Sequence, residues 1–478
     1  MNGYAAWEVW QMQGRILIVD AIATNRIVIK VKLKKAFYDV CQAETIAQAL
    51  TSARSVPPDL IISASVLPDG TAADLCRALA ASPTVEQVPV IALGREVETG
   101  SRLETLRAGA HDVLENPVTE TLLLARVRSL IRAQNAATEW RMREDTCSAL
   151  GLAEEAEGFE DQGHCVLVCA QRALAQRVAQ ELRPVLRSKL TLASDTTVMQ
   201  QIVAPKAPDV FVLLLSDDRV TASEQLRMIA TLRANAATRH AGVIVVQRVH
   251  DATVGANALD LGADDLMTHG LNVAELALRT RAVIRRKRVG ERLRASVRTS
   301  LEAAVFDPLT GLYNRRYAMP HLSRVAALAR TEGHTFAVMV LDLDHFKQIN
   351  DAYGHAAGDA VLIEVGRRLR VAARASDMVA RIGGEEFMAI MASADAMDAR
   401  QLATRICDDI SSEPFKVPGK AEPISVTISI GMALGGGRSR PEDASRDEGE
   451  YILAQADRAL YNAKGQGRNQ VTVGRPAA

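Results

Sequence analysis

Residues 379–391 read VARIGGEEFMAIM, two short apolar runs on either side of a polar turn with two glycines. Apolar runs of this length are typical of buried strands, and glycine accepts the positive φ angles that tight hairpin turns require. The stretch therefore predicts a β-hairpin with Glu385 and Glu386 at its tip. Gly383 and Gly384 lack side chains, so a triphosphate could closely approach the backbone there.

Upstream of the hairpin, Thr335-FAVMVLDLD predicts a buried strand that ends at Asp342, and 360–373 predicts a helix. If the end of this strand lies beside the hairpin, Asp342 and Glu385 converge into a set of hard oxygen ligands suited to Mg²⁺. Three basic residues could add positive charge for phosphates: Lys347, Lys464 and Arg468. The chain contains no GxxxxGK[ST] motif, which argues against a P-loop kinase or ATPase.

Five segments, in this order, resemble the signature segments of GGDEF-family diguanylate cyclases. They are Asp307-PLTGLYNRR, Asp342-LDHFKQIND, Tyr353-GHAAGD, Gly383-GEEF and Ala456-DRALYNAKGQGRN. The resemblance covers roughly 306–473, and it implies that this region makes cyclic di-GMP and pyrophosphate from two GTP molecules. Since one such domain holds one GTP, the resemblance also implies a homodimer in which two domains face each other.

The resemblance assigns a role to each matching residue. Glu385 and Lys347 are the expected catalytic residues, the first as proton acceptor for the attacking 3′-hydroxyl and the second as a stabiliser of the transferred phosphate. The expected metal ligands are Asp342, the backbone carbonyl of Leu343, Glu385 and Glu386. They imply two Mg²⁺ per half-site, with Mn²⁺ as an alternative. The expected substrate-binding residues are Phe346, Asn350, His355, Asp359, Gly383, Gly384, Lys464 and Arg468, of which Asn350 and Asp359 would recognise guanine.

A second constellation, Arg374-ASD, resembles the RxxD site at which this family binds its own product. Arg374 and Asp377 would contact cyclic di-GMP, and Arg405 would complete the site. The sequence therefore predicts product inhibition. The alternative is a surface Arg/Asp pair without a ligand, which would contribute little to stability.

The N-terminal two-thirds of the chain contain a faint internal repeat, referred to below as the first and second copy. Leu106-RAGAHDVL resembles Leu259-DLGADDLM, and Arg126-VRSLIR resembles Arg279-TRAVIR. Short apolar runs alternate with amphipathic stretches, which favours parallel sheets covered by helices. The whole chain resembles the PleD-type response regulators, which carry two receiver domains before a GGDEF domain. This resemblance implies an α/β protein with two flavodoxin-like doubly wound receiver domains (14–135 and 163–290) and a mixed-sheet GGDEF domain (306–475).

Both copies depart from the receiver pattern at the positions that carry phosphorylation chemistry. In the first copy only Asp20 remains of the acidic pair, the phosphoacceptor position falls on Ala64 and the lysine position on Asn116. The second copy has Ala170 and Gln171 for the acids, Leu214 near the acceptor and His269 for the lysine. We expect degenerate receivers that act in dimerisation or docking and do not respond to phosphate.

Composition limits the other function classes. Of 478 residues, 57 are Lys or Arg and 57 are Asp or Glu, so no global charge indicates DNA or an anionic membrane as a partner. No apolar run approaches the roughly twenty residues of a membrane helix, and the six cysteines show no zinc or disulfide spacing. We expect a cytoplasmic protein without DNA or membrane partners.

Two rival functions remain open at this level. A catalytically idle cyclic di-GMP receptor would need only Arg374, Asp377 and Arg405, although the metal-ligand set argues against it. A scaffold whose receivers recruit a partner protein is compatible with catalysis.

Overall fold

The computed structural model describes residues 13–149 except 83, 86, 96 and 97, and residues 163–474 except 187, 199–206, 418–421 and 437–447. Residue 475, the predicted end of the third domain, lies outside this range. The chain divides into two compact units, of which the first contains both copies and the second the region from Val297 onward. Within the described residues, no helix is long and apolar enough to cross a membrane.

The first copy is a five-stranded parallel sheet with helices on its two faces. The sheet order is β2-β1-β3-β6-β7, with β4 and β5 forming a separate small hairpin. The elements are β1 (Arg15–Val19), α1 (Ala23–Lys35), β2 (Asp39–Ala43), α2 (Ile46–Ser55), β3 (Leu60–Ala64), β4 (Val66–Leu67), β5 (Gly70–Thr71), α3 (Ala72–Ala80), β6 (Val90–Gly94), α4 (Thr99–Arg107), β7 (Asp112–Glu115) and α5 (Glu120–Ala149). Helix α5 therefore continues past the predicted domain boundary at residue 135.

The second copy repeats this strand order, as β9-β8-β10-β11-β12, again all parallel. Both sheets thus have the flavodoxin-like order 2-1-3-4-5, which confirms the predicted fold class. The elements are β8 (His164–Val168), α6 (Arg172–Leu186), β9 (Lys189–Ala193), β10 (Val210–Leu214), α7 (Arg219–Gln225), α8 (Arg227–Ala234), β11 (Gly242–Val246), α9 (Ala252–Asp260), β12 (Asp265–Met267) and α10 (Val273–Val305).

A buried ionic network joins the two copies. Arg126 and Asp112 of the first copy meet Arg279 and Asp265 of the second, and each arginine contacts both aspartates. These four side chains are only 1–3% exposed. Burial opposes ionisation of Asp112, but the two guanidinium groups hold its pKa below the ordinary value. Equivalent residues of the repeat thus pair across the contact between the copies.

An adjacent pair extends the network and balances its charge. Arg102 Nε of the first copy lies 3.1 Å from Glu275 Oε2 of the second, and Arg279 Nη2 lies 2.8 Å from Glu275 Oε1. Around these charges, Leu122 of α5 packs with the core of the second copy. The contact between the two copies therefore buries a formally neutral set of three arginines and three carboxylates.

The C-terminal unit contains a six-stranded mixed sheet in the order β13-β15-β16-β14-β17-β18. The central strands β15, β16, β14 and β17 are antiparallel, whereas β13 and β18 join the two edges in parallel. The elements are β13 (Tyr313–Asn314), α11 (Arg315–Glu332), β14 (Thr335–Leu343), α12 (Phe346–Tyr353), α13 (His355–Ala372), β15 (Met378–Arg381), β16 (Glu386–Met391), α14 (Ala396–Ser412), β17 (Ile428–Gly436), α15 (Glu448–Gly465) and β18 (Val471–Val473). The predicted strand and hairpin are confirmed, and the helix predicted from residue 360 begins earlier, at His355.

Candidate active site

The end of β14 lies directly beside the glycine turn of the β15–β16 hairpin. Asp342 is the register partner of Glu386 in the antiparallel β14–β16 pair. One residue further, the amide of Leu343 donates a hydrogen bond of 3.3 Å to the carbonyl oxygen of Glu385. The structure therefore brings together Asp342, Leu343 and the two glutamates, which lie more than 40 residues apart in the chain.

Like charges crowd this edge of the sheet. Burial raises the pKa of Asp342, although Lys464 Nζ lies 2.8 Å from its Oδ2 and opposes the effect. The pKa of Glu385 is also raised, first by burial and then by repulsion from Asp342 and Glu386. A cation at this edge would relieve both effects.

The donor set fits a magnesium ion that is shared with a nucleotide. In the part of the chain that the structure describes, no three His, Cys, Asp or Glu side chains form a complete metal cluster. Mg²⁺ is commonly held by one or two carboxylates together with substrate phosphates and water. Asp342, Glu385, Glu386 and the Leu343 carbonyl are hard oxygen donors of that kind, so the residues present are compatible with such an ion.

The positive φ predicted for the two glycines is wrong, because neither Gly383 nor Gly384 adopts one. A Cβ at Gly383 would lie 2.5 Å from Glu386 Oε2, which is the end of a side chain that can move aside. Gly384 faces open space, and its carbonyl accepts a hydrogen bond of 2.7 Å from Arg381 Nη2. Arg381 also pairs with Asp307 at 3.1 Å, so the first signature segment helps to hold the turn.

The predicted guanine-recognition residues lie on two successive helices that pack together. Asn350 is on α12, and Asp359 is exposed in the first turns of α13. Gly358 permits this arrangement, because a Cβ there would lie 2.0 Å from Asn350 Oδ1. His355 is exposed at the start of α13. An amide and a carboxylate thus lie on two neighbouring helices.

The remaining predicted substrate residues differ in exposure. Lys347 is exposed in the first turn of α12, whereas Phe346 beside it is 6% exposed and belongs to the hydrophobic core. Lys464 occupies the last turn of α15, and Arg468 follows in a turn with φ of 62°. Phe346 therefore packs in the core beneath the first turn of α12. The basic residues Lys347, Lys464 and Arg468 are exposed or partly exposed.

Asp344 is a site-supporting residue that sequence reasoning missed. Its buried carboxylate accepts hydrogen bonds from Thr427 Oγ1 (2.8 Å), Ser429 Oγ (2.8 Å) and the amide of Asn469 (3.1 Å). The last contact anchors the turn that carries Arg468. The signal was present in the alternation Asp342-Leu-Asp344 at a strand end, because a carboxylate that follows a buried run needs partners.

The predicted inhibitory residues also converge. Arg374 and Asp377 form a turn after α13, with the Asp377 amide donating to the Arg374 carbonyl at 3.0 Å. Arg405, on α14, donates to the carbonyl of Ala372 in the last turn of α13. The guanidinium of Arg374 lies 3.5 Å from Asp398, a partner that the sequence did not reveal. Both side chains of that pair are largely exposed, so a ligand could replace the contact.

In the first copy, the carboxylates near the expected phosphoacceptor position accept hydrogen bonds from neighbouring groups. Ala64 ends β3, at the expected acceptor position. Asp20 accepts hydrogen bonds from the Ile22 amide and from Asn25 Nδ2. Asp69 accepts from the first two amides of α2. Neither carboxylate stands free as a metal ligand.

The second copy shows the same loss. Leu214 ends β10, Asp217 pairs with Arg248, and Asp218 is the N-cap residue of α7. His269, in the lysine position, lies 3.4 Å from Glu115 Oε1 of the first copy and stacks on His250. The side chain in the lysine position of the second copy, His269, therefore contacts the first copy.

Two family models match the chain, and they cover different regions. The model described as "Diguanylate cyclase, GGDEF domain" matches residues 304–470. The model of the response regulator receiver domain matches residues 16–128. Both matches agree with the architecture of the described residues.

Curated relatives share sequence with this chain, one of them along nearly its whole length. Response regulator PleD from Caulobacter vibrioides is 35% identical over 475 residues, covering 98% of this chain and 100% of that protein. Diguanylate cyclase DgcP from Pseudomonas aeruginosa is 39% identical over 172 residues, covering 36% of this chain and 24% of that protein. Among solved structures, the GGDEF domain of DgcB from Caulobacter crescentus in complex with c-di-GMP is 35% identical, covers 36% of this chain and 94% of that chain, and gives a TM-score of 0.34.

Proposed function

The chain belongs to the PleD-type response regulators that carry a GGDEF diguanylate cyclase domain, and we propose that it condenses two GTP molecules into cyclic di-GMP across a homodimer. The observation that carries this proposal is the convergence of Asp342 and Glu385 at the hairpin turn, beside the ammonium of Lys464. A receptor without activity would have no use for this arrangement of carboxylates and ammonium group.

In this mechanism the metal site is formed by Asp342, Glu385, Glu386 and the Leu343 carbonyl. Bound Mg²⁺, or Mn²⁺ in its place, would neutralise phosphate charge and ease ionisation of the attacking hydroxyl. Glu385, at the hairpin turn beside the other carboxylates, accepts the proton of the attacking 3′-hydroxyl. Lys347 stabilises charge on the transferred phosphate, and Lys464 and Arg468 hold the distal phosphates.

Base recognition follows from the neighbouring amide and carboxylate. Guanine presents N1–H and N2–H donors, which the carboxylate of Asp359 accepts, and Asn350 offers both a donor and an acceptor. Adenine lacks this donor pair and would leave the acceptor unpaired, at about 1–3 kcal/mol for each lost partner. We therefore assign GTP as the substrate.

The direct test is product analysis after the full chain is incubated with GTP and Mg²⁺. Cyclic di-GMP and pyrophosphate in a 1:2 ratio support the proposal, because each of two α-phosphates releases one pyrophosphate. Cyclic di-GMP that copurifies with a protein unable to turn over GTP would instead favour the receptor function.

We also propose that cyclic di-GMP inhibits the enzyme at Arg374, Asp377 and Arg405. The exposed Arg374–Asp398 contact contributes little to stability, so the product can displace it at small cost. In Arg374→Ala, we expect the concentration of added cyclic di-GMP that halves the initial rate to rise at least tenfold, since a charge-assisted phosphate contact is lost. Inhibition that is equally strong in Arg374→Ala and the parent would contradict this assignment.

The receivers are proposed to act in dimerisation without phosphorylation, and a role in docking a partner protein is compatible with this. Their acids cap helices or form ion pairs, as described above. Helix α1 and the residue after its cap carry exposed apolar side chains, with Ile27, Val31 and Phe37 at 56%, 49% and 62% exposure. Because the reaction requires two catalytic domains, we assign a second copy of the chain to this face.

Acetyl phosphate provides the test of phosphorylation independence. After incubation with acetyl phosphate and Mg²⁺, we expect the intact mass, the dimer fraction in sedimentation and the cyclase rate all to stay unchanged. The physical reason is that no free acidic pair remains to hold the metal that phosphoryl transfer requires. A stable, acid-labile gain of one phosphoryl group would contradict the prediction.

A further inference from the structure

Lys464 forms an ion pair whose geometry conflicts with its expected role toward phosphate. Its Nζ lies 2.8 Å from Asp342 Oδ2, and the Asp342 side chain is only 6% exposed. Among the described residues, this is the one ion pair that Asp342 makes. The ammonium therefore compensates a buried carboxylate that would otherwise be left without a cation.

The same carboxylate is the proposed metal ligand, so Lys464 and the metal compete for it. A divalent ion bound to Asp342 would be a close neighbour of the Lys464 ammonium. Two neighbouring cations repel each other strongly in a partly buried site. Lys464 is also proposed to bind the distal phosphates, which it cannot reach fully while it is held on Asp342. One lysine thus has two alternative partners.

The surroundings allow the side chain to move while its helix stays fixed. Helix α15 packs closely on β17 at Gly431, where a Cβ would lie 2.1 Å from both the Ala456 carbonyl oxygen and the Leu460 amide nitrogen. The Lys464 side chain itself is 35% exposed, and four rotatable bonds let its ammonium change partners.

Building on the proposed function, we propose that Lys464 is an exchangeable counter-ion of the metal site. It pairs with Asp342 in the nucleotide-free enzyme and transfers to the triphosphate when GTP binds, which releases the carboxylate for the metal. Metal and nucleotide binding are therefore positively coupled, and by thermodynamic reciprocity each tightens the other by the same factor.

The test measures Mn²⁺ binding to the full chain at pH 8, with and without 3′-deoxy-GTP, which lacks the attacking hydroxyl. In the parent, we expect Mn²⁺ to bind at least fivefold more tightly when the nucleotide is present, the lower end of typical couplings. In Lys464→Met, Mn²⁺ alone should bind at least fivefold more tightly than to the parent, because its competitor is gone. In this variant, the factor by which the nucleotide tightens Mn²⁺ binding should be smaller than in the parent.

Arg468→Met is the matched control, because Arg468 is a proposed phosphate ligand whose Nε lies 4.0 Å from Asp344 and which has no ion pair with Asp342. It should weaken nucleotide binding and should tighten Mn²⁺ binding less than Lys464→Met does, because Arg468 acts on Asp342 through space without an ion pair. Lys464→Gln should reproduce the result of Lys464→Met. Unchanged or weaker Mn²⁺ binding in both Lys464 variants, with cyclic di-GMP still made by the parent, overturns only the counter-ion role. A parent that neither makes cyclic di-GMP nor binds Mn²⁺ overturns the proposed function as well.

Discussion

Glu385→Gln is expected to lower kcat for cyclic di-GMP formation by about 10³-fold or more while leaving GTP binding intact. The amide cannot accept the proton of the 3′-hydroxyl, and it is a much weaker metal ligand than a carboxylate. The rate is measured at saturating Mg²⁺, which offsets the weaker metal site of the variant. Under that condition, removing one negative charge from a crowded acidic edge does not weaken binding of the polyanionic substrate. The loss should therefore appear in kcat and not in KM.

The matched control is Glu413→Gln, an identical chemical change at an exposed residue after α14. It should retain the parent rate within about twofold, because a substitution at an exposed side chain usually has little effect. A nucleotide titration of both variants confirms that the site is folded. Glu385→Gln with more than a tenth of the parent kcat would contradict the proposed role of Glu385.

The second large effect concerns the stability of the first unit. Arg279→Met should destabilise it by about 3–5 kcal/mol, because Asp112 and Asp265 would lose a shared partner and remain buried with incomplete compensation. Since unfolding of several domains need not be two-state, the suitable measurement is hydrogen exchange of peptides from β7 and β12. Their amides should exchange faster, whereas peptides from β14 in the other unit should not change.

Arg77→Met provides the corresponding surface control. Arg77 pairs with Asp74 and Glu104 in the same unit, but all three side chains are about half exposed or more. The expected destabilisation is at most about 1 kcal/mol. Equal exchange in Arg279→Met and Arg77→Met would show that the buried network does not hold the two copies together.

Several features of the fold could be predicted from sequence because the interactions that create them are local. Apolar runs such as 335–343 are strands because burial on both faces excludes polar residues, and the hairpin follows from two such runs around a short polar turn. The signature segments identified the family, and its architecture supplied the neighbours of Asp342. The φ angles of the hairpin turn could not be predicted from its two glycines, because glycine adopts negative φ about as readily as positive φ.

The ionic network shows where sequence reasoning stops. Arg126 and Arg279 were recognised as equivalent positions of a repeat, yet each reads as an ordinary solvated residue of a helix. Their burial arises only when the two copies pack together, which places residues more than 130 positions apart in one network. Tertiary packing also determines the contact of Asp398 with Arg374 and the hydrogen bonds that Asp344 accepts.

The sequence by itself determined the class of the fold and the family, because residue type and short-range order carry that information, and it supplied the residues that we propose for catalysis. The tertiary structure alone decided which charges are partners: Lys464 with Asp342, 122 positions away, and the arginines of one copy with the aspartates of the other. The physical reason is that the strength of an ion pair depends on burial and on distance through space, and neither quantity is encoded in the spacing along the chain.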